Sequence, residues 1–189
     1  MRGVVKMAEK SKHVGDMPLM KKAMAFAVAK HGGQIRKVSG LPYYVHLFDV
    51  CSIVRKYKES YRIDELCAAA VLHDSIEDTE ATFEELLEEF GPLVADLVKQ
   101  LTNDEDMIAK HGKEAYLNKK LEGLTSYALT IKLADMLSNI GESPKPETIK
   151  RIRAHYRHIM TSDISMRLTA AQAAILIEIN RTLIELHDA

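Results

Sequence analysis

Four side chains in this sequence have the types and settings that metal chemistry uses: His46, the adjacent pair His73-Asp74, and Asp135. His73-Asp74 closes an apolar run, Leu66-Cys-Ala-Ala-Ala-Val-Leu72, and stands just before the acidic pair Glu77-Asp78. A carboxylate beside an imidazole at an apolar helix end is strongly desolvated, and the usual remedies are a salt bridge or a metal ion. Taken alone, the dipeptide reads as a buried Asp–His hydrogen bond or plain surface exposure sooner than as a metal site. His46, in Tyr43-Tyr-Val-His46, and Asp135, in Lys132-Leu-Ala-Asp135, lie amid apolar neighbours on two other expected helices. Singly, His46 reads as a satisfied helix-face histidine and Asp135 as an N-cap or a partner of Lys132. Jointly, three helices could converge on one point. Two imidazoles and two carboxylates make a mixed N/O set that holds a divalent first-row ion at moderate affinity, with positions left for water and a phosphate oxygen.

Other residues around this set have types that phosphate chemistry would use. Glu77 and Asp78 could orient or deprotonate a water, or form the acidic first turn of the following helix. Arg36 and Lys37 could make charge-assisted contacts to phosphate, or be a solvated cationic turn. Asn139 follows Asp135 by four residues, so both project from one helix face; a helix-terminal Asn is the alternative.

The elements that must position these groups are helical throughout. Apolar residues recur at three- and four-residue intervals, and β-branched runs bounded by turn pairs are scarce, so the fold class is all-α, one compact helical bundle. A first helix is expected from near Pro18 to Lys30, ahead of Gly32-Gly33. Residues 34–42, with Gly, Ser and Pro punctuation, form a loop that could face a ligand. Further helices are expected over Tyr44 to Tyr57 and from Asp64, as N-cap, into His73. Thr82-Phe-Glu-Glu85 has capping-box form and opens a helix closed at Gly91-Pro92, with another running to Leu101. Thr102 to Asp106 reads as loop, and helices follow over Lys113 to Leu121 and Ser126 to Ile140. After a break at 141–146, two helices over Glu147 to Met160 and Ile164 to His187 complete a bundle spanning 18–189, with 1–17 as an N-terminal extension.

Bulk numbers narrow the function classes. A length of 189 residues with 47% hydrophobic and 28% charged residues suits one globular domain. A net charge of −1 gives no global field toward nucleic acid or an anionic membrane, so any anion site must be local. No stretch approaches the roughly 18 apolar residues of a membrane span. Cys51 and Cys67 lack a partner spacing and read as free thiols of a reducing compartment, so a cytoplasmic address is expected. The last helix could pack in the core or against a second copy, leaving a homo-oligomer open.

Taken in order, these motifs resemble the HD-domain hydrolases, and within them the RelA/SpoT-type guanosine tetraphosphate hydrolase domain and the small alarmone hydrolases. The resemblance rests on the A-x-x-x-A-x-x-x-H-x-x-Q-x-R-K-x-S-G-x-P-Y-x-x-H stretch of Ala23 to His46, on Ala69-Ala-Val-Leu-His-Asp-Ser-Ile-Glu-Asp-Thr79, on Phe90-Gly91 and Leu101-Thr102, and on Ile131-Lys-Leu-Ala-Asp-Met-Leu-Ser-Asn139. It implies that His46, His73, Asp74 and Asp135 bind one manganese-type ion. It implies that Glu77 and Asp78 act on the water nucleophile, and that Arg36, Lys37, Ser39 and Asn139 contact a nucleotide. The implied reaction removes the 3′-linked pyrophosphate of guanosine tetra- or pentaphosphate, leaving GDP or GTP. Neither the synthetase nor the regulatory domain of the long bifunctional enzymes is expected in a chain of this length. The sequence departs from the family pattern at Leu47, Met136 and Ser138, and most of all at Gly141-Glu142, where a glycine and a carboxylate replace residues that would face a phosphate. Those departures keep open another nucleotide phosphate as substrate, such as a nucleoside monophosphate or a 2′-phosphorylated dinucleotide. A non-catalytic nucleotide-binding module is the reading from a different class.

Overall fold

The computed structural model describes residues 18–142 and 144–186. The expected extension over 1–17 and the last residues of the expected final helix lie outside the described residues. The elements in chain order are α1 (Leu19–Lys30), α2 (Tyr44–Tyr57), α3 (Ile63–Leu72), α4 (Ser75–Asp78), α5 (Phe83–Phe90), α6 (Pro92–Leu101), α7 (Glu105–His111), α8 (Lys113–Gly123), α9 (Ser126–Gly141), α10 (Pro146–Thr161) and α11 (Ala170–Glu185). Among the described residues no strand forms, and the all-α expectation holds. An isolated bridge between Ile35 and Pro42 folds the 34–42 loop back on itself.

Helix α3 is the centre of the molecule because it has no polar face after its first turn. Leu66 to Leu72 are all buried, and a helix apolar all round must be surrounded by others. Its small side chains, Cys67, Ala68, Ala69 and Ala70, let α1, α2, α6 and α9 close in on it. Leu66 and Leu72 supply the bulk; burying each contributes roughly 1.5–3 kcal/mol, and Leu72→Ala would cost about 2–5 kcal/mol. One apolar core runs without interruption from Ala23 to Leu183. The chemistry-bearing end of α3 is therefore clamped on all sides before any ligand arrives.

Local signals fix most of the boundaries. Thr82 caps α5 by accepting from the Glu85 backbone N–H at 3.1 Å, but the Glu85 carboxylate turns to Lys30 at 3.0 Å instead of closing the box. Gly91 takes φ 80°, the left-handed region that lets α5 pass into α6, and Pro92 opens α6. Three expectations are corrected. Asp64 is not the N-cap of α3: the helix starts at Ile63 after Arg62, and Asp64 lies in its first turn, 3.6 Å from Arg55. Thr102 to Asp106 is loop only in part, because Asp104 accepts from the Met107 N–H at 2.9 Å and starts α7 at Glu105. The expected helix from Ile164 breaks into a 3₁₀ turn, Ser165–Arg167, and then α11, opened by a full capping box between Thr169 and Gln172. The sequence Thr169-Ala-Ala-Gln172 carried that signal.

Helix α11 packs along α9 and touches α2. Gln172, fully buried, wedges against α9: its Nε2 donates to Ser126 O at 2.7 Å and to Thr130 Oγ1 at 3.2 Å.

Candidate metal centre

Three helices and one helical turn meet at the C-terminal end of α3. His46 comes from the first turn of α2, His73 is the residue after α3, Asp74 precedes the single turn of α4, and Asp135 lies in the middle of α9. His46, His73 and Asp135 are buried, and one ligand atom from each lies within 4.8 Å of the others. The two imidazole rings are 5.4 Å apart between centroids.

Each ring is oriented by its Nδ1. His73 Nδ1 is 2.8 Å from the Ala70 carbonyl, which can only accept, so that nitrogen carries a proton. His46 Nδ1 is 2.9 Å from Ser138 Oγ. Both Nε2 atoms are thereby aimed inward, the arrangement typical of metal-binding histidines. His73 Nε2 lies 3.1 Å from Asp74 Oδ2 and 3.8 Å from Asp135 Oδ1, yet is buried without a hydrogen bond. A lone pair facing two carboxylates is repelled unless a proton or a cation stands between them. Burial opposes a charged imidazole, but Asp74 and Asp135 outweigh it and raise His73 to about 10. The carboxylates that would hold a proton there would equally hold a metal ion, so the donor set fits a divalent cation.

The carboxylates are held as firmly. Tyr43 Oη donates to Asp74 Oδ2 at 2.6 Å. Burial disfavours the Asp74 charge, but His73 and then the Tyr43 bond hold its pKa below the usual range. Asp135 accepts from Lys132 Nζ at 2.8 Å on Oδ2, and Oδ1 receives Asn139 Nδ2 at 2.5 Å and faces His46 Nε2 at 3.2 Å. Against burial, Lys132 and the two histidines keep Asp135 well below an ordinary carboxyl.

These groups line a cavity of about 250 Å³ that also takes in Glu77, Asp78, Asn103, Lys113, Arg151 and His155. Glu77 is at its mouth, both oxygens gripped by Asn103 at 2.9 Å, through the backbone N–H and the side-chain amide. Asp78 lies toward Tyr43, its pKa raised first by burial and then by Asp74. The cavity opens on two sides. On one, a groove of about 500 Å³ is lined by Gln34 to Val38, Tyr43, Asp78 and Asn139. Arg36 reaches Asn139 Oδ1 at 3.4 Å, but its Nε is paired with Glu142 at 2.5 Å. Lys37 is exposed in that groove, whereas Ser39 is at the exposed tip of the turn, where its Oγ accepts from the Leu41 N–H at 3.4 Å, and does not line it. On the other side, a groove of about 790 Å³ between α8 and α10 carries Lys113, Lys150, Arg151, Arg153 and Arg157 against Glu114 and Glu147.

In the sequence Tyr43 stands only as a motif member, Lys132 reads as a partner of Asp135, which the 2.8 Å contact bears out, and nothing singles out Asn103, Lys113, Lys120, Arg151 or His155. The cationic spacing Lys150-Arg151 with His155 one turn on was a legible helical face, but nothing in the sequence aims that face at His73. Ser138 stood out as a departure; in the structure its hydroxyl sets the His46 ring.

Residues 23–162 match the family model described as an HD domain. The chain belongs to the HD-domain family. The guanosine-3′,5′-bis(diphosphate) 3′-pyrophosphohydrolase MESH1 of Danio rerio is 32% identical over 155 residues, covering 79% of this chain and 84% of that protein. A GTP pyrophosphokinase rsh of Brucella ovis is 37% identical over 141 residues, 71% of this chain, which spans 18% of that much longer relative. The HD bundle also superposes on the solved structure of a metazoan orthologue of SpoT that hydrolyses ppGpp, with a TM-score of 0.70 at 24% identity, covering 93% of this chain and 97% of that one. That likeness concerns the fold.

Proposed function

We propose that this HD domain is a metal-dependent phosphohydrolase that removes the 3′-pyrophosphate of guanosine tetra- or pentaphosphate, giving GDP or GTP and pyrophosphate. The observation that carries the reading is the inward-facing His73 Nε2, with its other nitrogen committed to Ala70 O and two carboxylates in front of it. The relatives named for this hydrolysis, and the cationic grooves on both sides of the cavity, support the choice of substrate.

In this reading His46, His73, Asp74 and Asp135 hold one divalent ion, for which we propose manganese. Such an ion makes water available as a nucleophile near neutral pH and offsets charge on a phosphate oxygen. The remaining work is done by the chain. Glu77 and Asp78 flank the mouth of the cavity; Asp78, with its raised pKa, is suited to take the proton of the attacking water and return it to the leaving oxygen. Lys113 and Arg151 neutralise phosphate from the α8–α10 side, while Arg36, Lys37 and Asn139 engage the nucleotide from the loop side. Ser39, at the turn tip, shapes the loop more than it touches the ligand. The cytoplasm, where Cys51 and Cys67 stay reduced, is the proposed setting.

Glu142 favours a second reading, in which the substrate carries less charge than a doubly pyrophosphorylated nucleotide, because it occupies Arg36. A nucleotide panel with pyrophosphate and phosphate release measured separately decides between the two. Purified protein with added Mn²⁺ is expected to release pyrophosphate from guanosine tetraphosphate, and chelation or Asp74→Ala to abolish it. Binding without hydrolysis over hours would leave only a nucleotide-sensing module.

A further inference from the structure

Glu77 has a weak foundation of its own. It stands on the four-residue turn α4, its side chain is exposed, and a glutamate has three torsions to fix. What fixes it comes from elsewhere in the chain. Asn103 follows the end of α6, and its backbone N–H and its Nδ2 each donate to one Glu77 oxygen at 2.9 Å. An amide side chain could present either its oxygen or its nitrogen to Glu77. Lys120, from α8, removes the choice: its Nζ donates to Asn103 Oδ1 at 2.8 Å, and an ammonium can only donate, so the amide NH₂ must face the carboxylate. The same Nζ donates to Leu101 O and Thr102 O at 2.6 Å each, so all three of its protons are spent on one three-residue segment. Lys120 makes no ion pair among the described residues; the negative charge it answers is that of Glu77, one amide away.

We infer that Asn103 and Lys120 are positioning residues for Glu77, Lys120 setting the direction of the Asn103 amide and Asn103 holding both Glu77 oxygens at the mouth of the metal cavity. This rests on the proposed role of Glu77 in the hydrolysis. The contact chain explains why a cation sits half-buried at the end of α6 with no carboxylate against it. It also assigns a purpose to α8, which otherwise contributes little to the core.

The test uses the full chain with Mn²⁺ and guanosine tetraphosphate, measuring kcat and KM separately, with thermal unfolding to confirm folding. Asn103→Asp is the decisive variant, since it keeps an oxygen for Lys120 and the backbone N–H but replaces the donor facing Glu77 by a second acceptor. It is expected to lower kcat by about 10- to 100-fold with KM changed by less than about threefold. Lys120→Arg is expected to retain more activity than Lys120→Met. Combining Asn103→Ala with Glu77→Gln is expected to be no slower than Glu77→Gln alone, because both act through one carboxylate. A readout independent of turnover is the Asn103 side-chain amide resonance in metal-free protein, which is expected to shift on Glu77→Gln. If Asn103→Asp keeps kcat within about twofold while Glu77→Gln is inactive, the positioning role is overturned and the hydrolase reading stands. If Glu77→Gln itself turns over at the original rate, the role of Glu77 falls and this inference falls with it.

Discussion

On the α10 wall, in the groove beside the cavity, Lys150 and Arg151 make no ion pair among the described residues, whereas on the loop wall, in the opposite groove, Arg36 is held by Glu142 at 2.5 Å and leans on Asn139. The two walls have similar cation types but differ in free charge. His155 registers the difference: buried beside Lys132 and Arg151, its pKa is pushed down to about 4, by burial first and by those cations second. A polyphosphate entering this site would find cations free of ion pairs on the α8–α10 side, with Glu114 and Glu147 beside them, and on the other side the exposed Lys37 next to a partly neutralised guanidinium. The difference teaches that charge composition is a poor guide to where an anion goes; the partners of each cation decide it.

Removing the floor that both walls share should have the largest effect. Asp135→Asn takes one carboxylate from between His46, His73 and Lys132, so turnover is expected to fall on the order of 10³-fold, with loss of bound Mn²⁺ by elemental analysis. If the ion stays bound and the rate holds, the centre has been misread. Next in size is an acid sensitivity specific to the α10 wall. His155 titrates near 6.5 when unfolded and about 4 when folded. Between those values the unfolded chain binds a proton that the folded chain does not, so stability falls as pH drops through that window, by on the order of 3 kcal/mol in all. His155→Gln is expected to flatten this part of the stability profile in denaturant titrations from pH 7 to 4.

The walls themselves are compared directly by two truncations. Arg151→Ala is expected to raise KM for guanosine tetraphosphate by about 10- to 100-fold, the worth of a charge-assisted phosphate contact, and Arg36→Ala by less than about fivefold. Equal effects would mean that Glu142 does not restrain Arg36. The smallest change is expected from Glu142→Gln, which should free Arg36 and lower KM by about two- to fivefold, more for the tetraphosphate than for a nucleoside monophosphate.

The helices were legible wherever apolar periodicity was sustained, as in α2, α6 and α9. Thr102 to Asp106 misled because Asn and Asp favour turns and N-caps for the same reason, a short side chain that bonds to nearby backbone, and only the fold shows which use Asp104 serves. The four candidate ligands could be named because they stand in apolar surroundings that tolerate charge poorly. Their partners could not. Ser138 behind His46, Asn103 on Glu77 and Arg151 across the cavity are ordinary polar residues on helix faces or ends, and their meaning arises from which helices lie beside them. The pairing of Glu142 with Arg36 joins residues a hundred positions apart, and no local pattern announces it.

The wedge made by Gln172 carries a practical consequence for dissecting the molecule. The family-matched segment ends at residue 162, yet α11 covers the flank of α9 and α2, the helices that carry Asp135 and His46, with Ile175, Ile179 and Leu183 buried. A fragment cut at the family boundary would expose that apolar flank to water and leave Ser126 O without its partner amide. The smallest piece of this chain fit for isolated expression therefore extends through Glu185.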